Sequence, residues 1–197
     1  MAGAQASLRL VVGLGNVGTR YAGTRHNAGF WYADGLAARL GASFREDRKA
    51  HGELARAQVG GHDLRLLKPS TLMNASGRSV GAVAGFHKLT AASVLVAHDD
   101  LDLPPGTVRM KFGGGFGGHN GLRDIAAQLG TPDYWRLRIG VGHPGQRDEV
   151  IDYVLTRPAP DERAAIETAI ERAIEATEPL LASGDAEAAM QTLHSGP

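Results

Sequence analysis

Residue types that could catalyse hydrolysis occur in separate parts of this chain, well away from one another in sequence. His26 has a side chain that ordinarily titrates near neutrality, so its imidazole can accept a proton from water. Asp99 follows an apolar run and offers the carboxylate that fixes the tautomer of such a base. A solvent-exposed histidine and a turn-capping aspartate are the ordinary alternatives. The pair therefore predicts a general base with an orienting partner if the fold brings the two together.

Three asparagines, Asn16, Asn74 and Asn120, lie in predicted loops. A carboxamide offers donors and an acceptor without charge, which suits the recognition of peptide groups or the polarisation of an ester carbonyl. Each asparagine alone is more often a turn or cap residue, but all three together with a histidine are harder to explain in that way. The glycine run 113–118 precedes a predicted helix, so it could hold a phosphate or act as a mobile cover.

The first glycines of the chain invite a different interpretation. Gly13, Gly15 and Gly18 spell G-x-G-x-x-G directly after an apolar run, as in a dinucleotide-binding fold. That fold needs a helix starting at this motif, but the next helical pattern begins only near Asn27. The expected acidic residue at the end of a second strand is missing as well. We expect these glycines to serve a tight turn and a close backbone approach.

Other kinds of catalytic site find little support. The chain has no cysteine and no G-x-S-x-G motif, which excludes a cysteine nucleophile and a serine elbow. A metal site is conceivable, although no helical H-x-x-x-H spacing supports it. Its candidate ligands are His98, Asp99, Asp100, Asp102 and His119.

The length of 197 residues predicts a single domain, which we place at 8–197. Residues 1–7 are predicted to be a short disordered extension. The formal net charge is zero, but residues 161–197 carry −6 and the rest of the chain +6. Such a basic body could bind a polyanion locally, or the acidic segment could be a solvated helix face. No apolar run approaches a membrane span and residues 1–7 do not resemble a signal peptide, so we expect a cytoplasmic protein with no membrane contact.

Apolar periodicity alternates between strands and helices, which predicts a single three-layer α/β/α domain with a mixed, mainly parallel twisted sheet. Gly60-Gly61 predicts a hairpin turn. The predicted strands are 8–12, 54–59, 64–67, 94–97, 108–110 and 137–141, and the predicted helices are 27–40, 74–88, 122–129 and 160–181. Ligands in such folds gather beyond the carboxyl ends of the strands, where the candidate residues lie.

Five motifs, in order and spacing, closely resemble the bacterial peptidyl-tRNA hydrolases over roughly residues 8–193. The motifs are Gly13-Leu14-Gly15-Asn16-x-Gly18, Thr24-Arg25-His26-Asn27-Ala28-Gly29, Lys68-Pro69-x-Thr71-x-Met73-Asn74-x-Ser76-Gly77, Val96-x-His98-Asp99-x-Leu101-Asp102 and Gly113-Gly114-Gly115-x-x-Gly118-His119-Asn120-Gly121-Leu122. Arg136-x-Arg138-Ile139-Gly140-x-Gly142-His143-Pro144 extends the likeness.

The resemblance implies an esterase that needs no cofactor or metal and cleaves the bond between a peptide and the 3′ ribose of tRNA. It assigns His26 as the base that activates water and Asp99 as its orienting partner. Segments 113–118 and 142–152 would be mobile covers of the cleft. The remaining roles it implies are peptide binding by Asn16, Tyr21, Met73, Asn74 and Asn120, and tRNA contact by Lys111 and Arg138.

This chain departs from the family pattern at two positions. Val17 replaces the usual proline, which frees one backbone dihedral, and Asp100 replaces the usual glutamate with a shorter carboxylate. Neither change touches His26 or Asp99. We expect a monomer without an obligate protein partner, and the competing hypothesis is a non-catalytic RNA-binding protein on the same scaffold.

Overall fold

The protein, described here by a computed structural model over residues 5–196, is built around one mixed sheet with helices on both faces. Within those residues the sheet has seven strands in the order β2-β3-β4-β1-β5-β7-β6. The strands are β1 Leu10–Gly13, β2 Arg45–Asp47, β3 Gly52–Val59, β4 His62–Pro69, β5 Val94–Asp100, β6 Val108–Phe112 and β7 Trp135–Gly140. The helices are α1 Ala28–Arg39, α2 Ser76–Phe86, α3 Asn120–Leu129, α4 Val150–Val154, α5 Pro160–Ser183 and α6 Ala186–His194.

Four neighbouring parallel strands form the centre of the sheet. β1 lies between β4 and β5, with Val12 opposite Leu67 on one side and Val96 on the other, and β7 continues beyond β5. The outer pairs β2–β3, β3–β4 and β6–β7 are antiparallel. The carboxyl ends of β4, β1, β5 and β7 therefore open at one edge of the sheet, the usual place for a ligand in an α/β fold.

The sheet separates two hydrophobic cores. Successive residues of β1 alternate between them, with Val11 facing α1, α5 and α6 and with Leu10 and Val12 facing α2 and α3. The side chains of Leu10, Val11 and Val12 are all fully buried. A strand apolar on both faces is typical of a sheet covered by two helical layers, and this arrangement confirms the predicted α/β class.

The predicted elements are recovered, with their ends shifted by a few residues. The β3–β4 hairpin turns at Gly60 and Gly61, whose φ angles are 57° and 80°, as a two-residue turn requires. Three elements were missed: β2, α4 and α6. The edge strand β2 consists of charged, largely exposed residues, so its sequence carries no apolar alternation.

The predicted disordered extension needs correction. Residues 1–4 lie outside the described part of the chain. Gln5 pairs with Asp185 in an isolated antiparallel bridge, and Ala6 is only 1% exposed and donates its amide hydrogen bond to the Gly184 carbonyl. Ala6 is thus packed where α5 meets α6, while Gln5 and Ser7 on either side of it are exposed. Within residues 5–196, no helix is both long enough and apolar enough to cross a membrane.

Candidate active site

A cleft of about 610 Å³ opens at the carboxyl ends of the central strands. It contains all nine residues that the sequence analysis proposed for the site, although they come from segments more than one hundred residues apart. They are Asn16, Tyr21, His26, Met73, Asn74, Asp99, Lys111, Asn120 and Arg138. The fold therefore brings the candidates together.

Asp99, near the end of β5, is the centre of the polar network. Its carboxylate accepts from two histidines: His26 Nδ1 lies 2.9 Å from both carboxylate oxygens, and His119 Nε2 lies 3.0 Å from Oδ1. The Asp99 side chain is 2% exposed, whereas that of His26 is 15% exposed and reaches the cleft. The carboxylate is thus held beneath the imidazole that faces the substrate space.

These contacts determine which ring nitrogens carry protons. An ionised carboxylate only accepts hydrogen bonds, so His26 donates from Nδ1 and His119 donates from Nε2. His119 Nδ1 in turn accepts from the Leu122 amide at the start of α3. His26 is therefore left with its lone pair on Nε2, the atom a general base would use.

The environment of the pair shifts both pKa values in useful directions. Burial alone would lower the pKa of His26, but the charge and hydrogen bond of Asp99 outweigh it and raise that pKa above 6.5. Burial opposes ionisation of Asp99, yet His26 and His119 hold the pKa of that carboxyl well below its usual range. Asp99 thus stays ionised, and it stabilises the imidazolium that forms when His26 takes a proton.

A third histidine, His98, lies beneath this network and differs from the other two. It is 3% exposed, its Nδ1 donates to the Asp99 carbonyl at 2.8 Å, and its ring meets His119 edge-on with centroids 5.3 Å apart. Burial, followed by the proximity of His119, lowers the pKa of His98 to about 4. His98 is therefore neutral at neutral pH and supports the backbone of Asp99.

Asn16 is held in the cleft by Asn27. The Asn16 amide donates to Asn27 Oδ1 at 2.8 Å, and Asn27 Nδ2 donates to the Asn16 carbonyl at 2.9 Å. Asn27 is 2% exposed, and both of its bonds go to the backbone of Asn16, so they do not use the Asn16 carboxamide. Asn27 therefore fixes the loop that connects β1 with His26.

The early glycines allow this loop to pack against α1. A side chain on Gly13 would collide with the Gly29 backbone, and one on Gly15 would lie 2.6 Å from the Phe30 ring. Gly18 has φ 107°, which a residue with a side chain rarely adopts. Residues following Gly18 form turns, and α1 begins ten residues later. The tight turn and close approach predicted from the sequence are confirmed.

Two further asparagines face the same space from other segments. Asn74 is exposed in the 3-10 turn Met73–Ala75, which the Ser76 hydroxyl stabilises by donating to the Met73 carbonyl at 2.6 Å. Asn120 is exposed and begins α3, directly after His119. Their amides thus border the cleft on elements whose backbones are fixed.

Basic side chains gather on one side of the cleft, where β6 pairs with β7. Lys111 lies opposite Arg136 in the ladder, and Arg138 follows two residues later on the same face of β7. Burial and then the charges of the two arginines lower the pKa of Lys111. Arg138 Nε donates to Asp100 Oδ2 at 2.8 Å, so the shorter carboxylate at this position still reaches a partner.

Arg136 has a structural task within this basic group. It is fully buried, and its guanidinium donates to the carbonyls of Gly115 and Pro132 and lies 4.5 Å from the centre of the Tyr134 ring. One of these acceptors belongs to the glycine run. Arg136 therefore ties the loop between β6 and α3 to the sheet, next to the residues that reach the cleft.

Comparison with known proteins agrees with this geometry. The family model described as peptidyl-tRNA hydrolase matches residues 10–197. The chain belongs to the peptidyl-tRNA hydrolase family. It is 55% identical over 195 residues to the peptidyl-tRNA hydrolase of Halorhodospira halophila, covering 99% of this chain and 100% of that one. The corresponding protein of Alkalilimnicola ehrlichii is 56% identical over 189 residues, 95% of each chain.

Solved structures show the same fold. The crystal structure of peptidyl-tRNA hydrolase from Acinetobacter baumannii superposes with a TM-score of 0.92 at 44% identity, covering 96% of this chain and 95% of that one. A complex of peptidyl-tRNA hydrolase with N-propanol gives the same values. The resemblance seen in the five motifs is confirmed. Since the chain is a member of the peptidyl-tRNA hydrolase family, the early glycines Gly13, Gly15 and Gly18 need no dinucleotide-binding role.

In this peptidyl-tRNA hydrolase site, the contact of His119 with Asp99 and that of Asn27 with Asn16 were not predicted from the sequence. His119 was considered only as a possible metal ligand, although its place at the end of the glycine run, just before a helix, was a usable signal. Asn27 was visible next to His26, but nothing in the sequence shows that its amide would hold Asn16. Both contacts depend on the packing of distant segments.

In the described part of the chain, the group that could hold a metal ion is His26, Asp99 and His119, whose ligand atoms lie within 4.8 Å of one another. Asp99 and His119 were also among the metal ligands considered from the sequence. The nitrogen atoms that face the carboxylate make hydrogen bonds to it at 2.9 and 3.0 Å, which requires protons on those nitrogens. A metal-bound imidazole nitrogen carries no proton, so a metal at this group and the proposed His26–Asp99 hydrogen bond exclude each other.

We therefore expect chelation to leave the activity unchanged. Ester cleavage should be measured before and after prolonged dialysis against EDTA, with added Zn²⁺, Mn²⁺ or Mg²⁺ in parallel. The rate of ester cleavage should be the same under all of these conditions. Loss of activity on dialysis that one of these ions restores would instead assign the group His26, Asp99 and His119 to a metal.

Proposed function

We propose that this protein hydrolyses the ester between the carboxyl group of a peptide and the 3′ ribose of tRNA. The observation that carries the proposal is the buried Asp99 carboxylate bound to His26 Nδ1 at 2.9 Å, inside a cleft with carboxamides and basic groups around it. Membership of the peptidyl-tRNA hydrolase family supports the same substrate. All of these groups come from one chain, so we also propose that a monomer is sufficient.

The reaction begins with a water molecule between His26 and the ester carbonyl. As the water oxygen attacks the carbonyl carbon, its proton passes to His26 Nε2, and Asp99 stabilises the resulting imidazolium. The tetrahedral intermediate then collapses and the bond from carbon to the ribose oxygen breaks. The imidazolium returns its proton to that oxygen, which leaves a tRNA with a free 3′ terminus and a peptide carboxylic acid that ionises.

The negative charge of the intermediate needs hydrogen-bond donors that are already in place. We assign this task to the carboxamides of Asn74 and Asn120, whose backbones are fixed by a 3-10 turn and by the start of α3. Asn16, held from behind by Asn27, is assigned to the peptide backbone, together with Tyr21 and Met73. An uncharged amide can bind both N–H and C=O groups of a peptide whatever its sequence.

The basic group on β6 and β7 is assigned to the phosphates of the tRNA. Lys111→Ala should raise KM severalfold, leave kcat near the wild-type value, and reduce the slope of log affinity against log salt by about one. Binding of uncharged tRNA at several salt concentrations measures that slope. Lys49→Ala, a change at an exposed lysine outside the cleft, is the matched control. An unchanged salt slope in Lys111→Ala would remove this residue from the tRNA contact.

The function itself is tested with an N-blocked aminoacyl-tRNA labelled in the amino acid. Release of the labelled acid together with intact tRNA supports the proposal. Tight tRNA binding with no release above the uncatalysed rate would contradict it and would favour a non-catalytic RNA-binding protein on this scaffold.

A further inference from the structure

The carboxamides of Asn74 and Asn120 lie on two segments that are in contact. Asn74 is in the 3-10 turn that leads into α2, and Asn120 is the first residue of α3. A β-carbon on Gly121 would lie 2.9 Å from Met73 Sδ, so the turn that carries Asn74 packs directly on the start of α3. An apolar contact of this kind is not directional, so it does not by itself fix the orientation of the turn.

Asp124, one turn into α3, supplies a directional contact to the start of α2. Its Oδ2 accepts from the Gly77 amide at 2.7 Å, three residues after Asn74. Ala75, the N-cap residue of α2, has no side-chain oxygen that could accept such a bond. The first amides of a helix lack partners within the helix, and a carboxylate there also interacts favourably with the helix dipole. Asp124 therefore caps α2 from a different helix.

The backbones of α2 and α3 meet at this same point. A β-carbon on Gly77 would lie only 2.3 Å from the Asp124 carbonyl oxygen, so glycine is needed for the approach. Asp124 is half-buried and is not among the residues that line the cleft. Its carboxylate can thus affect the reaction only through the residues that it holds.

α3 has an attachment of its own, so it can serve as the fixed side of this contact. The hydroxyl of Tyr134, a fully buried residue, donates to the Leu122 carbonyl at 2.8 Å. Removing the Asp124 carboxylate would leave that bond in place, whereas the Gly77 amide would lose its acceptor. The segment that would shift is therefore the start of α2, together with the turn that carries Asn74.

We propose that Asp124 is a positioning residue for ester hydrolysis, which caps α2 and thereby holds the Asn74 carboxamide where negative charge develops. The inference rests on the proposed function, in which Asn74 stabilises the charge of the intermediate. Such donors are effective because they are in place before the reaction, and a displacement of about 1 Å can lower a rate by up to roughly 10²-fold. Asp124 thus acts on the chemical step and not on the binding of tRNA.

The test compares wild-type protein, Asp124→Ala, Asn74→Ala and the double variant in cleavage of a labelled N-blocked aminoacyl-tRNA. Asp124→Ala should lower kcat by roughly 10 to 10²-fold and change KM by less than about twofold. Asn74→Ala should lower kcat by roughly 10² to 10³-fold. When Asn74→Ala is already present, adding Asp124→Ala should lower kcat by less than about twofold, because a carboxamide that is absent cannot be displaced.

Two further variants separate positioning from a loss of stability. Asp124→Asn should recover most of the kcat lost in Asp124→Ala, because its amide oxygen can still accept from Gly77. Asp185→Ala is the matched control, since Asp185 Oδ1 accepts from the Ala188 amide at 3.0 Å and caps α6 outside the cleft. Both alanine variants remove a helix cap and should lower Tm, but Asp185→Ala should keep the wild-type kcat. If Asp124→Ala unfolds at the assay temperature, Asp124→Glu, which moves the carboxylate by one carbon, replaces it in the same comparison.

A wild-type kcat in folded Asp124→Ala would overturn the inference, and so would a loss of kcat that is equally large with and without the Asn74 side chain. An equal loss of kcat in Asp185→Ala would overturn it too, because lost stability would then explain the effect. Failure of wild-type protein to release the labelled acid would instead contradict the proposed function. The two failures are therefore distinguishable in one set of measurements.

Discussion

His26→Ala is expected to lower kcat by roughly 10² to 10⁴-fold, the usual contribution of a positioned general base. The substitution removes the Nε2 lone pair that takes the proton of water, while Asp99 keeps its hydrogen bond from His119 at 3.0 Å. The basic groups of β6 and β7 are untouched. Affinity for uncharged tRNA should therefore stay within about twofold of the wild-type value, measured by filter binding beside the hydrolysis assay.

A suitable control is His87→Ala, at the end of α2 and away from the cleft, which should have wild-type kcat. Turnover close to wild type in His26→Ala would assign the base to another group. Loss of tRNA binding together with turnover would show that the histidine acts in binding or folding rather than in the chemical step.

Asp99→Asn is expected to lower kcat by roughly 10² to 10⁴-fold, about as much as His26→Ala. An asparagine amide can donate to His26 Nδ1, which favours the tautomer with the ring proton on Nε2 and leaves only a small fraction of His26 as a competent base. The change also removes the charge that raises the pKa of His26, so burial would then lower that pKa. Because the base must be neutral, the acid limb of the residual activity should move to lower pH than in the wild type.

The neighbouring carboxylate offers a comparison for Asp99. Asp100 accepts from Arg138 at 2.8 Å instead of from a histidine, so Asp100→Asn should act mainly on KM for the tRNA substrate. A wild-type acid limb in Asp99→Asn would contradict the account of the pair. So would an equal loss of kcat in the two variants.

Much of this site could be predicted from the sequence because its polar residues follow apolar strands. Asn16 follows β1 and Asp99 lies near the end of β5, two neighbouring parallel strands, so a strand assignment already places them at one edge of the sheet. The grouping of His26 with Asp99 also followed from their chemistry. The five motifs and their order were enough to identify the family, which sequence and structure comparisons confirm.

What could not be predicted depends on contacts between distant segments. His119 reaches Asp99 because α3 begins at the mouth of the cleft, and Arg25 reaches α4 across more than one hundred residues of sequence. α4 itself has five residues, too few to show a helical period. The mobility expected of segments 113–118 and 142–152 stays a prediction. Arg136 bonds to Gly115 within the first segment, and Arg25 bonds to Tyr153 and Thr156 just beyond the second.

The central claim is that a neutral His26, oriented by Asp99, is the base in ester hydrolysis. Its most direct test is the pH dependence of single-turnover release from a labelled N-blocked aminoacyl-tRNA, with enzyme in excess. Since the pKa of His26 is raised above 6.5, the rate should be level at high pH and fall about tenfold per pH unit below a midpoint above 6.5. A rate independent of pH between about 5 and 8 would contradict the claim.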